Sequence, residues 1–150
     1  MKLIGRTGSP SPAQRPMLNP ILYHLLLVAV AAYAFLRGKS DERLAAAICV
    51  IATIATRLVL SPVASRYSGL EFGVLLVDLL TLAGFVVIAL RTDRFWPLWV
   101  AGLQLTTLVA HMLKAIQIDL LPQAYAAAGR FWVYPIFLII VVGTWRSHRR

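Results

Sequence analysis

Gln104, Thr107, His111 and Lys114 recur at spacings of three, four and three inside an otherwise apolar stretch. Residues three and four apart are neighbours on a helix surface, so these side chains draw one polar stripe along an oily helix. An imidazole, an ammonium and two hydrogen-bonding groups in a row could relay protons, hold an ion or seat a polar ligand. A second stripe runs through Glu71, Leu75, Asp78 and Leu82 and sets two carboxylates about two turns apart on one face. Cys49, Thr53, Thr56, Arg57 and Ser61 form a third, and the first apolar segment adds His24 beside Tyr23.

Charged groups within apolar helices cost about 3 kcal/mol each on membrane-insertion scales, so they face one another or water and take partners. Counted from the segment ends, His24, Arg57, Asp78 and His111 lie at similar depth and could share one polar layer. A buried Arg57–Asp78 ion pair is the expected way to neutralise both charges, either fixing helix register or serving a site. Facing imidazoles on bundle helices can also ligate haem iron from both sides, so His24 and His111 are alternative b-type haem ligands. No Cys-x-x-Cys-His attachment motif accompanies them, and the expectation is no cofactor and no other metal. A Gly-rich phosphate loop, a His-Glu-x-x-His zinc motif and a Gly-x-Ser-x-Gly elbow are all missing, which disfavours an ordinary hydrolase or nucleotide enzyme.

The elements that must position these residues follow from composition. The chain of 150 residues is 59% hydrophobic and only 14% charged, with a mean hydropathy of +0.75, well above ordinary soluble domains. The single cysteine, Cys49, rules out an internal disulfide and packs as a small apolar group. Apolar runs punctuated by polar turns predict an all-α, polytopic transmembrane bundle of five spans, near 20–36, 44–63, 70–90, 96–118 and 124–145. Residues 1–19, rich in Pro and Ser, are expected to form a flexible tail, and 147–150 a basic one. With its basic leader, the first run also fits a signal peptide ending at Ala32, Tyr33 and Ala34; retention as a span is the expectation. Pro135 is positioned to kink the last span.

The net charge of +9 sits at the ends of apolar runs rather than in one patch, which points to anionic lipid and away from nucleic acid. In general look the chain resembles the small multi-span proteins of bacterial inner membranes, and no motif assigns a family. The leading functional expectation is a non-enzymatic accessory or assembly subunit in a homo-oligomer or larger membrane complex. Its support is the alanine-rich segments around Ala29–Ala34, Ala45–Ala47 and Ala126–Ala128, which permit close helix approach. A small transporter or proton-linked carrier, and a haem or lipid-modifying enzyme, are the alternatives.

Orientation follows from the basic residues beside the spans. Arg37, Lys39, Arg43, Arg91, Arg94, Arg146, Arg149 and Arg150 fall on one side, against Lys2, Arg6, Arg15 and Arg66 on the other. The excess predicts a cytoplasmic C-terminus and an external N-terminus. Reporter fusions at Arg150 and near Met1 are expected to read inside and outside respectively; an external Arg150 contradicts the orientation, and both ends on one side contradict five spans.

Overall fold

The computed structural model describes residues 20–59, 72–116 and 131–149, leaving aside the side chains of Pro20 and of 113–116. They form five helices: α1 (Pro20–Arg37), α2 (Ser40–Val59), α3 (Phe72–Arg91), α4 (Trp96–Ile116) and α5 (Val133–His148). Among the described residues there is no strand, so the architecture is all-α.

Only Gly38 and Lys39 separate α1 from α2, and α2 begins four residues earlier than its expected apolar span. The reason is local chemistry. The Lys39 amide donates to Glu42 Oε2 at 2.9 Å, half of a capping box, and Arg43 N–H closes the first turn onto the Lys39 carbonyl at 3.1 Å. Asp41 and Glu42 in that turn also oppose the helix dipole. Gly38 lacks a positive φ; its role is close approach, because a Cβ there would lie 2.5 Å from the Ala34 carbonyl oxygen. The expected end of the second span at Ser61 and Pro62 lies outside the described residues.

Helix α4 starts at Trp96 with Pro97 in its first turn, where a missing N–H costs nothing. Helix α5 runs from Val133, and the expected start of the last span near Ala124 lies outside the described residues. Phe131 is helical, Trp132 is a turn, and Pro135 lies four residues beyond Phe131, so it lacks the N–H that would carry the helix across this point. At the other end, α5 continues to His148 and takes in part of the expected tail.

The helices close into a ring. Helix α1 packs on α2 and α5, α2 on α3, α3 on α4, and α4 on α5, with α2 also touching α5 across the middle. Ala34, Ala45, Phe85, Val100, Ile136 and Ile140 form the heart of the core. Two seams are close contacts made possible by glycine: a Cβ at Gly84 would meet Ile48 of α2 at 2.8 Å, and one at Gly143 would meet the Trp96 ring at 3.2 Å. Large apolar side chains such as Leu36, Leu58, Phe72, Leu90 and Phe95 point outward. Among the described residues, α3 is the one helix long and apolar enough to cross a membrane, and only 22% of that window is buried in the bundle.

The C-terminus of α1, the N-termini of α2 and α4 and the C-terminus of α5 meet at one end. There Arg94 forms an ion pair with Glu42, whose side chain is fully buried, and Arg37 bonds His148 at 2.9 Å. Removing one member of a buried pair strands a charge, whereas replacing both is near neutral. Arg94→Met is expected to destabilise the protein by about 3 kcal/mol, the low end for such pairs because Arg94 is 32% exposed. Adding Glu42→Gln to Arg94→Met is expected to recover most of that loss in thermal unfolding; equal stability of the single and double variants would show that the pair is not coupled.

Candidate functional site

Two further sets of polar contacts between helices lie in the half of the bundle away from Glu42, on separate seams. On the α3/α4 seam, Asp78 is the hub. Gln104 and His111 are seven residues apart on α4, two turns along one face, so both can close on a carboxylate from the antiparallel helix opposite. Gln104 Nε2 donates to Asp78 Oδ1 at 3.2 Å and to the Asp78 carbonyl at 3.4 Å, and His111 Nε2 lies 3.0 Å from Asp78 Oδ2. For that contact to be a hydrogen bond to a carboxylate, His111 Nε2 carries the proton. Thr107, between them, spends its hydroxyl on the Leu103 carbonyl, as Thr81 does on Val77.

Burial follows the stripe. Gln104 and Thr107 are 6% and 7% exposed, while Leu105, Val109 and Met112 on the opposite face are about half exposed. The side chains of His111 and Asp78 retain 26% and 17% exposure, so this pair is sheltered yet reachable. A carboxylate and an imidazole in contact can hold a proton between them and hand it on.

On the α1/α2 seam, Arg57 Nη2 lies 3.0 Å from His24 Nε2. A guanidinium only donates, so this imidazole nitrogen accepts. One turn away, Thr53 donates to the Cys49 carbonyl at 2.8 Å, which leaves the Tyr23 hydroxyl to donate to Thr53 Oγ1 at 2.7 Å. The Tyr23 ring stands edge-on to His24 and lies 5.8 Å from Phe137, linking this cluster to α5.

The expected Arg57–Asp78 ion pair is therefore not made. Arg57 occupies the exposed last turn of α2 and reaches across to α1, while Asp78 faces α4 and takes two partners there. The expected single polar layer is split in two. Glu71, one of the two expected carboxylates, and the side chain of Lys114, the end of the stripe, lie outside the described residues. The Nε2 atoms of His24 and His111 contact different partners on different seams, and no group of three or more potential metal ligands occurs among the described residues. No family model, curated protein or solved structure matches the chain.

The Glu42–Arg94 pair joins two residues that the sequence places in polar turns, and its one sequence signal is that alternating spans return those turns to the same end of the bundle. The Tyr23–Thr53 bond carried a weaker signal, two hydroxyls at matching depth on adjacent helices.

The pairing makes a direct prediction. Contacting polar residues couple by about 0.5–3 kcal/mol and separated ones do not. A double-mutant cycle of Asp78→Asn with His111→Leu is expected to show coupling in that range, and one of Asp78→Asn with Arg57→Leu to show none; the reverse pattern in thermal unfolding would contradict this assignment of partners.

Proposed function

We propose that this chain is a multi-pass protein of the inner (plasma) membrane, acting as a non-enzymatic accessory or assembly subunit. Its helices would lie across the bilayer with the Glu42–Arg94 end in the cytoplasm. Support comes from the apolar outer surface, in which Leu36, Leu58 and Leu90 are 78–82% exposed on three different helices. A second support is the gathering of Arg37, Lys39, Arg43, Arg91, Arg94, Arg146 and Arg149 at one end, beside Trp96, Trp99 and Trp145. Lengths of 16 to 21 residues correspond to about 24–32 Å of helix, close to the hydrocarbon thickness.

The observation that carries the subunit reading is the outward face of α4. Gly102 and Thr106, four residues apart, are both exposed, and a Cβ at Gly102 would meet nothing within 4 Å. Inside the bundle this glycine has no packing role. Thr106 turns its hydroxyl back onto the Gly102 carbonyl at 3.1 Å, which lets it face apolar surroundings. Small residues one turn apart on an outer face let a second membrane helix approach closely.

A second reading, a proton-linked carrier, draws on the partly exposed Asp78–His111 pair. It differs in what it requires of Asp78: Asp78→Asn would abolish proton-coupled uptake in a carrier and leave assembly intact in a subunit.

In mild detergent the protein is expected to migrate larger than one chain, as a homo-oligomer or with a co-purifying partner. Gly102→Leu is expected to release the monomer with thermal stability unchanged. A parent protein that runs as a lone monomer, or a Gly102→Leu variant that assembles normally, contradicts the subunit reading.

A further inference from the structure

At the basic end a groove of about 440 Å³ opens between the start of α4 and the C-terminal half of α5. Its walls divide by chemistry. Leu138, Ile139, Val142 and Phe95 make an apolar flank, while Asp93, Arg94, Arg146, Trp96 and Ser147 make a polar one. Two of these polar residues have buried atoms without a partner: the Trp96 indole N–H and the Ser147 hydroxyl. Ser147 is only 3% exposed, and buried donors are rarely left unsatisfied. They belong to one corner of the groove, because the Trp96 ring lies against Gly143 and Ser147 is the next turn of α5 on the same face.

The charges tell what would satisfy them. Arg94 is already neutralised by Glu42. Arg146 and Asp93, both exposed, line the same groove but form no ion pair with each other or with any described residue. A cation and an anion that line one groove without pairing, with two spare donors in the same groove, complement a ligand that carries both charges itself. We propose that the groove binds a zwitterionic aminophospholipid. Its phosphate takes Arg146, the Ser147 hydroxyl and the Trp96 N–H, its ammonium meets Asp93, and an acyl chain runs over Leu138 and Val142. Arginine and hydroxyl donors are suited to phosphate oxygens, and an exposed carboxylate to an ammonium. The site rests on the membrane reading, which sets this end at the headgroup layer.

The test is native mass spectrometry of the full chain in uncharged detergent, offered equal amounts of dioleoyl phosphatidylethanolamine, phosphatidylglycerol and phosphatidylcholine. Preferential retention of phosphatidylethanolamine is expected. Arg146→Gln with Ser147→Ala is expected to lower retention of all three by about tenfold, the loss of charge-assisted bonds to phosphate. Asp93→Asn is expected to remove the preference for phosphatidylethanolamine while phosphatidylglycerol is still held. Equal retention of the three lipids, variants that behave like the parent, or displacement by inorganic phosphate at millimolar concentration overturns the site. Carbonate extraction of the membranes beforehand separates this from the underlying reading: a chain that stays in the pellet yet shows no lipid preference overturns the site alone, and a chain released to the supernatant overturns the membrane reading and the site with it.

Discussion

An ionisable side chain on the inner face of an apolar helix is tolerable only when another helix supplies its partner, and the arrangement of this bundle follows from that requirement. Around the ring of five helices, three seams carry polar cross-links and two carry glycine contacts. His24 with Arg57, and Tyr23 with Thr53, close α1 on α2; Gly84 admits Ile48 between α2 and α3; Asp78 with Gln104 and His111 closes α3 on α4. Gly143 then admits Trp96 between α4 and α5, and Arg37 with His148 closes α5 on α1. Glu42–Arg94 ties the α2 entry to the α4 entry at one end. Apolar packing supplies the attraction, and the polar links specify which helix meets which and at what register.

Much of this was legible in the residues. The apolar runs and their punctuation mark five helical stretches, and five helices occur among the described residues; Pro97, the turn at Arg91–Arg94 and the acidic start of α2 are local signals that tertiary contacts did not override. The polar stripe on α4 was legible for the same reason: spacings of three and four have one geometric meaning on a helix. Partner choice was not legible. Arg57 and Asp78 sit on consecutive helices at comparable depth, and only the rotation of each helix about its axis decides that one faces α1 and the other α4. Rotation is set by the sum of many side-chain contacts, including those of Gly84 and Phe85, and no spacing rule encodes it. Glu42 was hidden in another way, since an acidic residue in a first helical turn reads as a solvated cap until a neighbouring turn is seen to cover it.

The two halves of the bundle differ in character. At the Glu42 end an ion pair with a fully buried carboxylate lies among arginines and tryptophans, the composition suited to a headgroup layer. In the other half the Asp78–His111 and His24–Arg57 contacts are partly exposed, and the first of them sets an imidazole against a carboxylate. A subunit whose task is assembly needs the first set for rigidity and an outer face such as Gly102 and Thr106 for contact. A carrier would need the second set to change partners. The same fold accommodates both, and what separates them is whether Asp78 keeps its α4 partners throughout.

In a bilayer the bundle keeps the Gln104–His111 stripe turned inward and presents Leu105, Val109 and Met112 outward, Met112 to lipid and the other two to lipid or to the helix docked at Gly102 and Thr106. Single cysteines at 105, 107, 109 and 112, in a Cys49→Ala background and reconstituted in vesicles, test it most directly when probed with a lipid-phase thiol reagent and a water-soluble one. Labelling of 112 from the lipid phase, and of 105 and 109 once Gly102→Leu has released the partner, with 107 protected from it throughout, is the result this structure predicts. Labelling of 107 from the lipid phase, or rapid labelling of 105, 109 and 112 from water, would contradict it.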